Sequence, residues 1–247
     1  MTLTPEIWHS LIGVAVLVAI AVTVLSVAGV GHQWSAAAAV CRGAVQLALI
    51  SVVLTGVITD PRWVTLALLV MFTVAAVTST HRTGWTLPRF LVVTGAMAAG
   101  VTTVLGVVFL TGAIEFSSRY ALAIGGIIIG GAMSTATLAG RRLAQATEER
   151  WSEVEGWLAL GATPREATRE IARFSIREAL IPSTDQTKTT GLVTLPGAFV
   201  GAIFGGVSPL DAGRFQIVVL AGIMAAGAVT AAVIAVSLAP TLHRAAG

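Results

Sequence analysis

Lys188 is the only lysine in the chain, and it follows Thr187. A phosphate-cradling loop needs Gly-Lys-Ser/Thr, so that backbone amides hold the phosphates while the lysine reaches them. That pattern is missing, so the chain cannot energise ATP-driven work by itself. Cys41 is the sole cysteine, which excludes a disulfide framework and thiolate cages for zinc or iron–sulfur clusters. His9, His32, His81 and His243 are dispersed, with no two at ligand spacing on one helix. No acidic residue falls in the centre of an apolar run. Met71, Met97, Met133 and Met224 read as gap-fillers rather than soft ligands. Residue chemistry by itself gives little support to a metal centre.

The polar residues with suggestive placement are few. Ser183–Thr190 is an eight-residue polar run leading into an apolar, glycine-rich stretch. Asp185 and Lys188 within it are either a weak i,i+3 ion pair on a solvated helix entrance or charges lining a hydrophilic mouth. Arg42 lies several residues inside an apolar run, with Gln46 one turn deeper on the same face. An intramembrane charge is costly unless it snorkels to the interface or finds an anionic partner such as Asp185. Gly197, Gly201 and Gly205 make two GxxxG steps, which serve close helix packing or line a path. Pro196 beside them frees a backbone carbonyl, so the segment is expected to kink and to offer a gate.

These residues must be positioned by elements that belong in a bilayer. The 247 residues are 55% hydrophobic and 11% charged, well away from the roughly 25% charged composition of soluble domains. The mean hydropathy of +0.88 agrees. Disorder is excluded by the same abundance of apolar surface. A span needs roughly 20 mostly apolar residues, and seven such runs are expected: Ile7–Val30, Ala36–Ile58, Trp63–Thr80, Phe90–Gly112, Ala121–Gly140, Gly191–Val207 and Phe215–Leu238. Trp8, Trp34, Trp63 and Trp85 mark run ends, where indole rings favour the headgroup region. Met1–Glu6 has no basic residue and the first run exceeds a signal core, so it reads as a retained span.

Orientation follows from the basic residues. With the long polar connection inside, twelve of the 15 Lys and Arg are cytoplasmic; Arg62, Arg119 and Arg214 remain outside. The N-terminus is then outside and the C-terminus inside. The net charge of +3 reports this topology rather than a nucleic-acid partner. The expected fold is an all-α integral membrane protein of the cell membrane, a single domain over 1–247, with a cytoplasmic helical hairpin at 141–188 between spans five and six.

That insert holds 16 of the 27 charges in the chain. Leu143, Thr147, Trp151, Val154 and Leu158 recur at helical spacing. Gly161 supplies a stop, and Thr163-Pro164-Arg165-Glu166 a helix start with Thr163 as N-cap and Glu166 as capping-box partner. A second helix carries Ala167, Ile171, Phe174 and Ile181 on one side and runs to Pro182. The result is a stiff elbow bending at Leu160-Gly161-Ala162-Thr163, suited to receiving force from a separate motor.

Glu155 and Gly161 have the E-x5-G spacing of the coupling loop in ATP-binding-cassette permeases. More specifically, Pro182-x-x-Asp185-x-x-Lys188-Thr189-x-Gly191-Leu192-Val193-x-Leu195-Pro196-Gly197, followed by Gly205-Gly206-x-Ser208-Pro209 and Gln216, closely resembles the FetB-type permease family. Arg42-x-x-x-Gln46-Leu47 and Leu158–Thr163 fit it too. The resemblance implies the membrane subunit of an exporter, homodimeric, acting on iron or another metal ion, with a plant branch tied to aluminium tolerance and sugar nucleotides. It implies no cofactor in this chain, with ATP and magnesium on a partner ATPase that docks at Glu155 and Leu160–Thr163. Arg42, Gln46, Asp185, Lys188, Pro196, Gly197, Gly201 and Gln216 are its pathway or gate candidates. One departure stands out: where the family commonly reads Gly-Asn-x-Met-Asn, this chain has Gly130-Gly131-Ala132-Met133-Ser134. A secondary transporter or channel, or a membrane assembly factor without transport, are the competing readings.

Overall fold

The computed structural model describes residues 5–57 and 60–241, with side chains at all of these except 5–6 and 52–57. His243 and Arg244, Met1–Thr4 and the Ile58 end of the second expected span lie outside the described residues. The chain divides into two units, residues 1–58 and 59–247.

The first unit is a helix pair, α1 (Pro5–Val27) and α2 (Trp34–Val57). α1 ends where Gly29 takes a φ of +66°, the left-handed conformation that glycine adopts without steric cost. The two helices meet through Val14, Leu17, Val18 and Ala21 against Ala36 and Val40. Most large apolar side chains of the pair, Val14, Leu17 and Val40 among them, are exposed, which is the surface a lipid solvent requires.

The second unit contains α3 (Pro61–Thr83), α4 (Leu87–Leu110), α5 (Ser118–Glu149), α6 (Trp151–Ala159), α7 (Pro164–Ala167), α8 (Arg169–Thr189), α9 (Gly197–Phe204), α10 (Pro209–Leu238) and a closing 3-10 turn, Ala239–Thr241. Side chains start these helices: Asp60, Thr86, Ser117 and Ser208 each accept a backbone N–H of the first turn, and proline follows three of them. The core lies between α3, α4, α5, α8 and α10 and is built from small residues. Ala96, Met97, Ile128, Ala132, Ala226 and Ile234 are fully buried. Packing this close is the usual way helices associate where no hydrophobic force distinguishes protein from lipid. Among the described residues there is no strand, only an isolated bridge between Thr190 and Thr194.

Among the described residues, six helices are long and apolar enough to cross a membrane: α1 to α5 and α10. The expected sixth span differs. Over Gly191–Val207 the only helix is α9, whose eight residues reach about 12 Å, against a hydrocarbon core of about 30 Å. Residues 190–196 form a turn closed by Gly191 N–H donating to the Thr194 carbonyl at 2.8 Å. Pro196 therefore stands at the N-cap of α9 and kinks no span.

Two further boundaries move. The first helix of the insert is not separate, because α5 continues through Leu143 and Thr147 to Glu149 before breaking at Arg150. α8 passes through Pro182 and ends at Thr189. The proline removes one donor and leaves the Glu178 carbonyl without its helical partner, a local loss outweighed by packing on both flanks. The buried face of α8 is Ile171, Ala172, Ser175 and Ala179, whereas Phe174 and Ile181 are exposed. Of the large apolar residues expected on this face, only Ile171 is buried, beside small neighbours.

Candidate functional site

The elbow is built from local hydrogen bonds. At the end of α6 the N–H groups of Leu160, Gly161 and Ala162 donate to the carbonyls of Gly156, Leu158 and Trp157 at 3.2, 3.0 and 3.0 Å. Gly161 sits at φ +89°, so the α6 end is a Schellman closure. Thr163 then caps α7 reciprocally. Its N–H and hydroxyl donate to Glu166 Oε2 at 2.8 and 2.7 Å, and its Oγ1 accepts the Glu166 N–H at 3.3 Å. The Thr163 backbone and hydroxyl donors hold the Glu166 carboxyl below the usual carboxylate range. Glu155 is exposed and accepts from Trp151 Nε1 at 2.8 Å. Trp157, Leu158 and Leu160 are exposed at the tip, Leu160 at 82%, and Ala162 is half-buried. A concavity of about 630 Å³ lies beneath them, between α6 and the start of α8.

α8 runs antiparallel to α10, two contacts set the register, and a third joins α9 to α10. Leu180 lies against Gly227, where an added Cβ would meet its Cδ2 at 3.2 Å. Thr184 donates to the Met224 sulfur at 3.8 Å. Phe199 of α9 reaches Gly213. The polar run thus lies beside the middle of α10 and not at its end. Asp185 and Lys188 are both exposed and face each other at 3.6 Å.

Beside this run, α5, α8 and α10 enclose a concavity of about 350 Å³, walled by Gly130, Gly131, Ser134 and Thr135 on one side and Pro182, Ser183 and Gln186 on the other. The two positions at which the resembled family carries amides, here Gly131 and Ser134, are part of its wall. Thr135 is only 4% exposed. Neither its hydroxyl nor the Gln186 amide has a hydrogen-bond partner among the described residues. Thr135 and Gln186 carry no motif of their own. The signal that points to Thr135 is its position one helical turn after Gly131.

The remaining candidates are scattered. An added Cβ at Gly197 or Gly201 meets nothing within 4 Å, and at Gly205 only the carbonyls of Gly201 and Ala202. The glycine stripe therefore packs against no other element of its unit. Gln216 is 6% exposed and its Oε1 is buried without a partner among the described residues. Arg42 and Gln46 are exposed on α2, in the first unit, and Arg42 has no ion pair among the described residues. No three His, Cys, Asp or Glu side chains converge on a possible metal position among the described residues.

Comparison with known proteins adds a family match and three relatives. The model of the Uncharacterised protein family (UPF0014) matches residues 8–242. UPF0014 membrane protein STAR2 of Oryza sativa subsp. japonica is 34% identical over 87% of this chain and 76% of its own. Protein ALUMINUM SENSITIVE 3 of Arabidopsis thaliana is 36% identical over 73% and 67%. The probable iron export permease protein FetB of Escherichia coli is 41% identical over 50% and 48%. No solved structure matches the chain.

Proposed function

The chain belongs to the uncharacterised protein family UPF0014, and from that premise we propose that it is the transmembrane permease subunit of an ATP-binding-cassette exporter for iron or another metal ion, driven by a separate ATPase. Its elbow faces the cytoplasm, its N-terminus lies outside, and two copies enclose the path. α8 and α9 together make the sixth crossing, broken at residues 190–196. The membrane character rests on the six apolar helices and the family. The cargo rests on the relative from Escherichia coli, a probable iron export permease.

One observation carries the mechanism. The two helices that leave the elbow, α5 through α6 and α8 through α7, are the same two that wall the 350 Å³ concavity. α5 is continuous for 32 residues, about 48 Å at 1.5 Å per residue. Arg142 and Glu178 brace the arms at 3.9 Å between elbow and concavity. Closure of a docked ATPase pair would tilt the elbow through the Trp157–Leu160 tip and change the separation of α5 and α8. Hydroxyl and amide oxygens suit a hard cation held weakly enough to be released.

The test is flux in proteoliposomes holding this chain and its matched ATPase, comparing ferrous, ferric and other metal ions with sugar nucleotides. ATP-dependent metal efflux, with hydrolysis no longer stimulated in Gly161→Pro, is the expected result. Stoichiometric flux by the purified chain without nucleotide would overturn it in favour of a secondary transporter or channel.

A further inference from the structure

A second groove, about 380 Å³, lies between the N-terminal half of α8 and the C-terminal end of α10. We propose that it binds one anionic glycerophospholipid, with the phosphate on Arg165 and Arg169 and an acyl chain along Ile176 and Val236. The reading needs the membrane embedding alone and is independent of the ATPase coupling.

The rim is net positive: three arginines face one lining carboxylate, Glu166, which also feels the Arg169 charge. Arg165, Arg169 and Arg173 follow one another at i,i+4 spacing, and all three border the groove. Arg173 is occupied by Glu170 at 2.7 Å. Glu166, the nearby carboxylate, is held by the Thr163 N–H and hydroxyl. Arg165 and Arg169 have no ion pair among the described residues. Arginine forks match the oxygens of a phosphodiester and lose little hydration in doing so.

The wall beneath is apolar and sits at the right level. Ile176, Val236 and Ala239 form it, and Val236 is exposed. The groove opens where the apolar run of α10 ends at Leu238, so the arginines stand at headgroup height with hydrocarbon-facing surface directly below. Free phosphate would satisfy the rim and leave the wall uncovered; a zwitterionic lipid would cover the wall and bring no net charge. Only an amphiphile with a net negative head complements both, as basic pockets between membrane helices commonly do. Seated there, it would tie α8 to α10 one turn from the elbow.

The experiment uses the purified full chain in neutral detergent. Native mass spectrometry counts bound phosphatidylglycerol against phosphatidylcholine, with inorganic phosphate and glycerophosphate as soluble arms. One tightly retained phosphatidylglycerol is expected, and Arg165→Gln/Arg169→Gln should weaken it about thirtyfold, about fivefold for each arginine. Arg177→Gln, next on the same stripe but outside the groove, should leave it unchanged. If the double variant does not fold, Val236→Gln and a 0.5 M salt wash of the unaltered protein, each expected to reduce retention, replace it. Equal retention of both lipids would overturn the proposal, as would equal loss in Arg177→Gln or full occupancy by phosphate alone. So would a folded double variant that keeps its lipid in full.

Discussion

The Thr184 hydroxyl donates to the Met224 sulfur across 3.8 Å, and this contact sets a polar stretch of α8 beside the centre of an apolar helix. Hydroxyls, an amide and an ion pair at that depth are costly in hydrocarbon. They are tolerable where they border water or a second copy of the chain.

Water access along α8 is therefore the first expectation. In a Cys41→Ser background, cysteine at Gln186 or Asp185 should react with a hydrophilic thiol reagent, whereas cysteine at Ile217, exposed on α10, should stay inert in the bilayer. An inert Gln186→Cys would mean that no aqueous path reaches this level.

Filling the concavity should alter transport more than stability. A Cβ at Gly131 would lie 3.4 Å from Ile223 Cγ2, an ordinary contact, so Gly131→Asn with Ser134→Asn places two amides in the open volume. The expected stability change is below about 1.5 kcal/mol, measured by thermal unfolding in detergent. Relative flux of competing metal ions should change. Unaltered flux ratios would remove the concavity from the path.

Helix contact is tightest at Gly100. A methyl there would stand 2.6 Å from the Ala226 carbonyl oxygen and 2.7 Å from Thr230 Oγ1. Gly100→Ala should cost about 1–3 kcal/mol by forcing α4 from α10. Gly95→Ala on the same helix meets nothing within 4 Å and should stabilise by up to about 1 kcal/mol through helix propensity. Denaturation of the two variants side by side checks the pair.

The elbow should weaken in acid. Because Thr163 lowers the Glu166 pKa below its ordinary 4.5, the carboxylate contributes stability that is fully present above that value. The contribution is lost as pH falls through the lowered folded value. Protection of amides 164–170 against hydrogen exchange should drop in that window. Glu166→Gln should show a flatter profile, and Thr163→Ala should lose about 1 kcal/mol at neutral pH. Parallel profiles for Glu166→Gln and the unaltered chain would show that the cap does not hold the elbow.

Much of the architecture was legible because its causes are local. The runs that became α1 to α5 and α10 are apolar over a span's length, and the Gly161 stop and the Thr163–Glu166 start act within four residues of themselves. The expected crossing at Gly191–Val207 has other bounds because hydropathy scores the glycine-rich stretch as a whole span and the polar residues before it as only its solvated entrance. The structure shows helix in the polar part, and a turn followed by the short α9 in the apolar part. Phe174 and Ile181 misled for a related reason: periodicity finds a stripe, but which stripe is buried depends on the small residues facing it.

The amino-acid order alone determined an all-helical membrane chain with a stiff bend, since composition and helix signals need no partner element. Only tertiary packing decided that Thr135 and Gln186 share a cavity, that Gly131 and Ser134 line it, and that the arginine stripe meets the end of α10. Those relationships join residues about 50 to 70 positions apart, and nothing in a linear pattern states which faces of two helices will meet.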